Sequence, residues 1–158
     1  MVKDASFADG DERPLLLKAE DEQDLRVVSA LVQDAILPAS EISFDPKTRR
    51  LALLINRFRW EDVDRARAEG RGFERVRSLL VINDVTALKS DGIDRDGDTV
   101  LELLALGWQA GEDCTGRITL DFAGDGALMA DVECINLDIR DVTKPYLAPS
   151  GKVPNHPA

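Results

Sequence analysis

The spacing of hydrophobic residues changes from a helical to a strand period near Pro38. Before that proline, apolar residues recur every three or four positions, at Leu25, Val28, Leu31, Val32 and Ala35. This spacing predicts one amphipathic helix over residues 21–34, with its apolar face turned to the core. Asp21 suits the N-cap position, and Glu22 and Asp24 fall in the first turn, where the helix dipole favours acidic side chains.

Beyond Pro38 the hydrophobic residues alternate with polar ones, which is typical of half-buried β-strands. The alternating positions are Ile42 and Phe44; Leu51, Leu53 and Ile55; Ile118, Leu120 and Phe122; and Leu128, Ala130 and Val132. The links between these segments are too short for the crossovers of a parallel sheet, which need about a dozen residues. The chain is therefore predicted to be α+β and mostly antiparallel. We expect a curled sheet or small (pseudo-)barrel with the N-terminal amphipathic helix packed on it.

Three further segments have local patterns of their own. Residues 61–70 are polar with interspersed alanines and predict a short helix that ends at Gly70. Residues 90–99 are rich in Asp and Gly and predict a loop. The alternation shifts by one position between Cys134 and Ile135, which indicates a β-bulge or a sharp bend.

Length and composition predict one globular domain between two irregular ends. The chain has 158 residues, of which 44% are hydrophobic and 32% charged, and it is long enough to bury a core. Residues 1–13 are polar and acidic and predict a flexible N-terminal arm. The globular domain is predicted over residues 14–142, and a Pro-rich irregular tail over residues 143–158.

The charges are sorted along the chain. Residues 47–77, which we call the basic segment, contain ten Lys or Arg and five acidic residues, although the whole protein has a net charge of −10. A basic segment in an acidic protein indicates contact with an anionic partner or with the acidic surface of a second copy. The pI of about 4.6 argues against nucleic acid as a partner, since phosphate neutralisation requires a positive face.

The densest group of recognition residues is the string NRFRWE at residues 56–61. If a strand continues through it, Arg57 and Arg59 point to one side and the intervening aromatic residues point to the core. Arg75 and Arg77 are also two residues apart, so they share a side of a later strand. The four arginines are predicted to share one exposed face, with Phe58 and Trp60 facing the core. The predicted partner-binding residues are Arg57, Arg59, Trp60, Arg75 and Arg77. The alternative is that these arginines are solvated charges paired with the surplus acids.

The sequence offers no catalytic set, metal site or cofactor motif. Its single histidine, His156, lies in the tail, so a Ser-His-Asp or Cys-His arrangement would have to be built around that tail. Neither a P-loop nor a GxGxxG fingerprint occurs. The string from Asp94 to Asp98 resembles the start of a calcium loop, but the Gly and Glu required at the sixth and twelfth loop positions are missing. We therefore predict no catalytic residue, no metal and no cofactor.

Cysteine chemistry and hydropathy predict a cytoplasmic protein. Cys114 and Cys134 lack the spacing of metal ligands, and their acidic neighbours would raise the pKa of a thiol, so we expect reduced, structural cysteines. The N-terminus lacks the apolar region of a signal peptide, and no run approaches the roughly 20 apolar residues that cross a bilayer. Reduced cysteines are usual in the cytoplasm.

Five strings distributed along the chain resemble the DUF2948 family. They are AEDEQDLRVVSALVQDA, LLINRFRWE, GFERVRSLLVI, VLELLALGW and ITLDFAGDGALMADVECINLDIRD, with a late NHP after the last. Together they cover about residues 15–157, nearly everything except the N-terminal arm. The family is a group of uncharacterised proteins from alphaproteobacteria, so the resemblance implies no activity, cofactor or catalytic residue. It does imply that His156, in the NHP string, is packed rather than loose.

Three functions are compatible with these features. The first is a non-enzymatic binding or adaptor module that uses the arginine-rich face for an acidic protein or a small anionic ligand. The second is an enzyme that acts on a small anionic metabolite with carboxylates and arginines. The third is a structural homo-oligomer, in which the basic segment and the acidic remainder neutralise each other between subunits. A deep pocket lined by arginines and acids favours the enzyme, and a flat basic face favours the binding module.

Overall fold

The computed structural model describes residues 13–94, 96–149 and 153–154. Within them the helices are α1 (Glu22–Val32) and α2 (Val63–Glu69), with short 3-10 turns at Ala39–Glu41 and Trp60–Asp62. The strands are β1 (Leu16–Ala19), β2 (Ala35–Pro38), β3 (Ile42–Asp45), β4 (Arg50–Phe58), β5 (Glu74–Ile82), β6 (Val85–Asp91), β7 (Val100–Ala110), β8 (Gly116–Phe122), β9 (Ala127–Val132), β10 (Leu137–Asp141) and β11 (Tyr146–Leu147). The described helices offer no segment long and apolar enough to cross a membrane.

All of these strands belong to one antiparallel sheet. Its order is β1-β10-β5-β4-β2-β7-β8-β9-β6, with β3 paired to β4 and β11 paired to β5. The predicted antiparallel α+β fold is therefore confirmed. The sheet is open and does not close into a barrel.

Helix α1 packs on the sheet through the face that its sequence predicts. The Asp24 N–H donates to Oδ1 of Asp21 at 2.7 Å, so Asp21 is the N-cap. The residues that α1 buries are Leu25, Val28 and Val32. The helix ends at Val32, two residues earlier than predicted, because Asp34 has a left-handed backbone (φ 67°) that turns the chain into β2.

Local backbone geometry accounts for the end of α2 and for the shift in alternation near Cys134. Helix α2 ends where Gly70 adopts a left-handed conformation (φ 64°), and the Gly70 N–H caps the last turn. The shift near Cys134 is a bend, not a bulge. The chain leaves β9 after Val132, turns through residues 133–136, and enters β10 between β1 and β5.

Backbone pairing continues beyond residue 142, where the domain was predicted to end. Strand β11 pairs with β5, and the Ala148 N–H donates to the Phe73 carbonyl at 2.8 Å. The side chain of Ala148 is buried. Most of the predicted N-terminal arm, residues 1–12, lies outside the described residues, and so does His156.

The two faces of β4 and β5 determine the surroundings of the basic segment. Alternate residues of both strands are buried on one side, which we call the inner face. These inner residues are Leu51, Leu53, Ile55 and Arg57 of β4, and Val76, Ser78, Leu80 and Ile82 of β5. Residues of the opposite parity form the outer face, on which Asn56 lies opposite Arg77 and Phe58 lies opposite Arg75.

Candidate functional site

Arg57 is fully buried on the inner face of β4 and forms the centre of an ion-pair network. Its Nη1 and Nη2 donate to Oε1 and Oε2 of Glu61 at 2.9 and 2.7 Å, a bidentate pair. Nη2 also donates to Oδ1 of Asp141 at 3.0 Å, and Nε donates to the Ser78 hydroxyl at 3.0 Å. That hydroxyl donates to Asp141 Oδ1 at 2.7 Å. One guanidinium thus connects β4, β5, β10 and the 3-10 turn that contains Glu61.

A second cluster of ion pairs surrounds Asp62, which is also buried. Nη1 and Nη2 of Arg71 donate to the two carboxylate oxygens of Asp62, each at 2.7 Å. Nη1 of Arg59 lies 3.7 Å from Asp62 Oδ2 and donates to Glu74. Nε of Arg71 donates to Glu69 at 2.6 Å. These pairs attach the start and end of α2 to β5.

The pKa shifts of Glu61, Asp62 and Arg57 all favour the charged form of the group. Burial is the largest influence on Glu61 and would raise its pKa, but the hydrogen bond and charge of Arg57 outweigh it, so the pKa lies below its usual value. The hydrogen bond from Arg71 is the main cause of the lowered pKa of Asp62, with burial acting in the opposite direction. For Arg57, burial is opposed by Glu61 and Asp141, and the net pKa is raised.

The predicted exposed face is wrong for Arg57 and Arg59, which are both buried. Two physical facts account for the difference. Arg57 has the same parity as the buried residues 51, 53 and 55 of its strand, and β4 ends at Phe58, so the expected alternation does not extend to Arg59 and Trp60. Much of the positive charge of the basic segment is paired with acids of the same segment.

Sequence reasoning also missed Ser78 and Asp141, which complete the network around Arg57. The signal available in the sequence was a polar residue at a position where the alternation of the strand places buried residues. Ser78 alternates with the apolar residues 76, 80 and 82, and Asp141 follows buried residues 137 and 139 at the same two-residue spacing. A polar residue at such a position needs an internal hydrogen-bond partner, because a buried and unpaired polar group is costly.

The aromatic residues of the same string pack against each other at the end of β4. The rings of Phe58 and Trp60 lie edge to face with their centroids 4.7 Å apart, and the Trp60 Nε1–H donates to the Gln33 carbonyl at 2.8 Å. The Arg75 guanidinium lies 5.9 Å from the centre of the Phe58 ring, within cation–π distance. Its Nη1 also donates to the Asn56 carbonyl at 3.1 Å. Trp60 and Arg75 thus use part of their hydrogen-bonding and ring surface for contacts within the protein.

Replacing Trp60 with Phe should lower the free energy of unfolding by about 0.5–1.5 kcal/mol, the usual net value of one hydrogen bond. The substitution keeps a ring against Phe58 but leaves the Gln33 carbonyl without its donor. Urea denaturation followed by circular dichroism measures the difference. An unchanged unfolding midpoint would show that water replaces the indole N–H at no cost.

Arg77 is the member of the predicted set that stays exposed and available. It lies on the outer face of β5, and its backbone N–H and carbonyl are bound by Thr143 and Val142. Among the described residues, its guanidinium forms no hydrogen bond or salt bridge. Arg140, on the outer face of β10, is also exposed and lies opposite Leu79, which places it diagonally next to Arg77.

A groove of about 210 Å³ begins at Arg77 and crosses the outer face between β4 and β2. It exists because β2 pairs with β4 only at Ile36, after which the chain leaves through a 3-10 turn and returns as β3. Its floor and walls are largely apolar, with Arg77 and Glu41 as the charged residues of the lining. The lining is Ile36, Leu37, Pro38, Glu41, Leu54, Ile55, Asn56, Arg77 and Val100.

A second cavity, of about 320 Å³, lies between β3 and β6. Its described lining contains no charged side chain and none of the predicted site residues. The lining is Ala39, Ser40, Ile42, Phe44, Leu88, Ser90, Ile93 and Leu128. The loop that follows β6 is organised by its own aspartates, since the Asp96 N–H donates to Asp94 Oδ1 at 2.9 Å. Of these two cavities, the groove at Arg77 combines charged side chains with apolar surface.

Comparison with known proteins identifies the family of this chain. The model of DUF2948, described as a protein of unknown function, matches residues 15–156. The chain belongs to the DUF2948 family. No curated protein and no solved structure matches it significantly. The matched range includes both the buried ion pairs and the groove at Arg77, so the whole candidate site lies within the family segment.

Proposed function

We propose that this DUF2948 protein is a non-enzymatic binding module whose groove at Arg77 holds an acidic, partly apolar segment of a partner protein. The observation that carries the proposal is the exposed guanidinium of Arg77, which has no internal ion pair among the described residues. Most other arginines of the basic segment have such pairs, for example Arg57, Arg65 and Arg71. An exposed guanidinium without a partner keeps its full capacity to bind a carboxylate.

The size of the groove favours a docked side chain over an enclosed substrate. Its volume of about 210 Å³ is below the range of roughly 300–1,000 Å³ in which small-molecule sites usually fall. An aliphatic side chain can occupy such a depression without being surrounded. This supports the binding module over the alternative of an enzyme acting on a small anionic metabolite.

The charges around the groove favour one chemistry and one orientation of the partner. Arg77 and Arg140 lie together on one side, and Glu41 lies within the lining. A partner segment with an aliphatic side chain beside an Asp or Glu would place its carboxylate at the arginines and its apolar group against Ile36 and Val100. Long-range attraction between opposite charges would also speed the encounter.

The test is selection of peptides from a random library on the wild-type protein, followed by affinity measurements on variants. We expect enriched peptides to combine aliphatic residues with Asp or Glu. Arg77→Glu should weaken their binding about tenfold or more, since reversal of one charge at a contact can cost about 1.4 kcal/mol or more. The wild-type affinity should also fall with added salt, and the variant should show a smaller dependence on salt.

Lys47→Glu is the matched control, because it makes the same change of net charge at an exposed turn outside the groove. It should leave the affinity within about twofold of wild type, since exposed charges beyond a Debye length are screened. Equal loss in both variants would indicate a general charge effect, and unchanged binding in Arg77→Glu would overturn the proposed site.

A cytoplasmic location is part of the same proposal. It is supported by the two cysteines, Cys114 and Cys134, which are both free thiols. Free thiols are usual in compartments that glutathione and thioredoxin keep reducing.

A further inference from the structure

The two cysteines of the chain lie just beyond the same end of the β8–β9 ladder. Strands β8 and β9 are antiparallel, and at the end of their ladder Gly116 lies opposite Val132. Each step back along β8 corresponds to one step forward along β9. Cys114 lies two residues before Gly116, in the turn between β7 and β8, and Cys134 lies two residues after Val132, in the bend between β9 and β10. The fold thus brings to one end of the hairpin two residues that the sequence separates by its whole length.

This placement favours a disulfide bond. Gly116 and Val132, from which Cys114 and Cys134 are each two positions away, are directly opposed residues of an antiparallel pair, whose Cα atoms lie about 4.5–5.5 Å apart. Disulfides join Cα atoms that are about 4.4–6.8 Å apart, so the two cysteines follow a point where the chain segments are already that close.

Hydrogen bonds hold the backbone on both sides of the pair. At the tip of the β7–β8 hairpin, the Gly111 N–H donates to the Thr115 carbonyl at 2.8 Å, and the Thr115 N–H donates to the Glu112 carbonyl at 3.0 Å. Next to Cys134, the Glu133 N–H donates to the Asp84 carbonyl at 3.1 Å. Both thiols therefore lie in turns that backbone hydrogen bonds hold in place.

The two thiols differ in their surroundings in a way that suits sequential reaction. Cys114 is exposed, whereas Cys134 is partly buried with its Sγ 3.6 Å from Asp84 Oδ2. Burial is the main cause of the raised pKa of Cys134, and Asp84 and Cys114 contribute in the same direction. The contribution of Cys114 reflects the closeness of the two sulfur groups. An exposed thiol meets an oxidant first, and a nearby protected thiol can then resolve the product.

We propose that Cys114 and Cys134 are an oxidative modification site, at which a hydroperoxide produces a reversible intramolecular disulfide. The Cys114 thiolate attacks the peroxide, so that an S–O bond forms, the O–O bond breaks, and water or an alcohol leaves. The Cys134 sulfur then attacks the Cys114 sulfenic acid, so that the S–S bond forms and the S–O bond breaks. The Cys134 proton passes by way of Asp84 to the leaving hydroxide, which departs as water. The two thiols supply the two electrons that reduce the peroxide.

The cross-link would tie the β7–β8 hairpin tip to the bend between β9 and β10. In a reducing compartment such a bond is transient, which is the usual behaviour of cytosolic disulfides that sense oxidants. Neither cysteine lines the groove at Arg77, so the site is separate from the proposed binding function.

The test is treatment of the reduced, full-length protein with hydrogen peroxide, followed by intact-mass measurement and thiol alkylation. We expect the mass to fall by that of two hydrogen atoms, both thiols to become resistant to alkylation, and the product to remain a monomer on a non-reducing gel. Dithiothreitol should restore both thiols. Cys134→Ser should instead accumulate a Cys114 sulfenic acid that dimedone traps, and Cys114→Ser should react much more slowly.

Comparing the rate of disulfide formation in the native and the urea-unfolded protein shows whether the fold holds the two thiols together. If the fold places the thiols together, the native protein should close the disulfide at least about tenfold faster than the unfolded chain at equal thiolate content. Equal rates would overturn the proposal, and so would sulfinic acid or intermolecular dimers as the main product of the native wild-type protein.

Discussion

Replacing Arg57 with Met should lower the free energy of unfolding by about 3–5 kcal/mol, the usual cost of removing one partner from a buried ion pair. The substitution keeps much of the side-chain volume but removes the donors to Glu61, Asp141 and Ser78. Asp141 would then be a carboxylate with little access to water and without its cation. Urea or guanidinium denaturation, followed by tryptophan fluorescence and circular dichroism, gives the change directly.

Two further variants show whether the loss comes from the buried charge. Arg77→Met makes the same substitution at an exposed position of the neighbouring strand, and we expect a change within about 0.5 kcal/mol. Adding Asp141→Asn to Arg57→Met should recover part of the stability, since it removes the carboxylate left uncompensated. A loss below about 1 kcal/mol in Arg57→Met, or no recovery in the double variant, would contradict a stabilising network centred on Arg57.

Local patterns in the sequence were sufficient for most of the architecture. The spacing of Leu25, Val28 and Val32 predicted α1, and the Asp21 cap is a contact between residues three positions apart. Strict alternation at residues 118–122 and 128–132 predicted the β8–β9 hairpin, which pairs in the expected antiparallel manner. Such predictions succeed because the responsible interactions are short in sequence or follow from burial of one face.

Contacts between distant parts of the chain were not predictable in this way. Strand β2 is only four residues long, and it follows α1 so closely that its first residue, Ala35, was assigned to the helical pattern. Its pairing with β7 joins Ala35 to Leu103, far along the chain. The short strand β11 is similar, because its two residues pair with β5 and have no periodicity of their own.

The candidate site shows a different kind of difficulty. The alternation at Leu51, Leu53 and Ile55 already implied that Arg57 points inward, but the usual preference of arginine for solvent favoured the opposite interpretation. What resolves the conflict is Asp141, which lies 84 positions from Arg57 in sequence. A buried arginine is tolerated when its partners are present, and Asp141 comes from β10, a strand far from β4 in sequence.

The second large effect concerns Asp62 and the dependence of stability on pH. Replacing Asp62 with Asn should lower the free energy of unfolding at neutral pH by about 1.5–3 kcal/mol, the range for hydrogen bonds to charged groups. The variant loses a bidentate pair with Arg71 and the nearby charge of Arg59. Because Asp62 is buried, solvent does little to replace these interactions.

The sign of the pH effect follows from the direction of the pKa shifts. The pKa values of Glu61 and Asp62 are lowered in the folded protein, so the unfolded chain binds more protons between the folded and unfolded pKa values. Their contribution is complete above the unfolded values of about 4.3 for Glu and 3.9 for Asp, and it is lost as the pH falls through the lower folded values. Wild-type stability should therefore decline as the pH falls below about 5.

The measurement is a series of urea denaturation curves from neutral pH into the acid range, for wild type, Asp62→Asn and Asp64→Asn. Asp64 is the matched control, since it is an exposed aspartate of the adjacent helix α2. At neutral pH, Asp62→Asn should have a lower free energy of unfolding than wild type. Its free energy of unfolding should then fall less steeply with acid, because Asp62 no longer takes up a proton on unfolding. Asp64→Asn should follow the wild-type curve. A parallel decline in wild type and Asp62→Asn would mean that Asp62 has nearly the same pKa in both states. The acid sensitivity would then arise from the other carboxylates with a lowered pKa, among them Glu61 in its pair with Arg57.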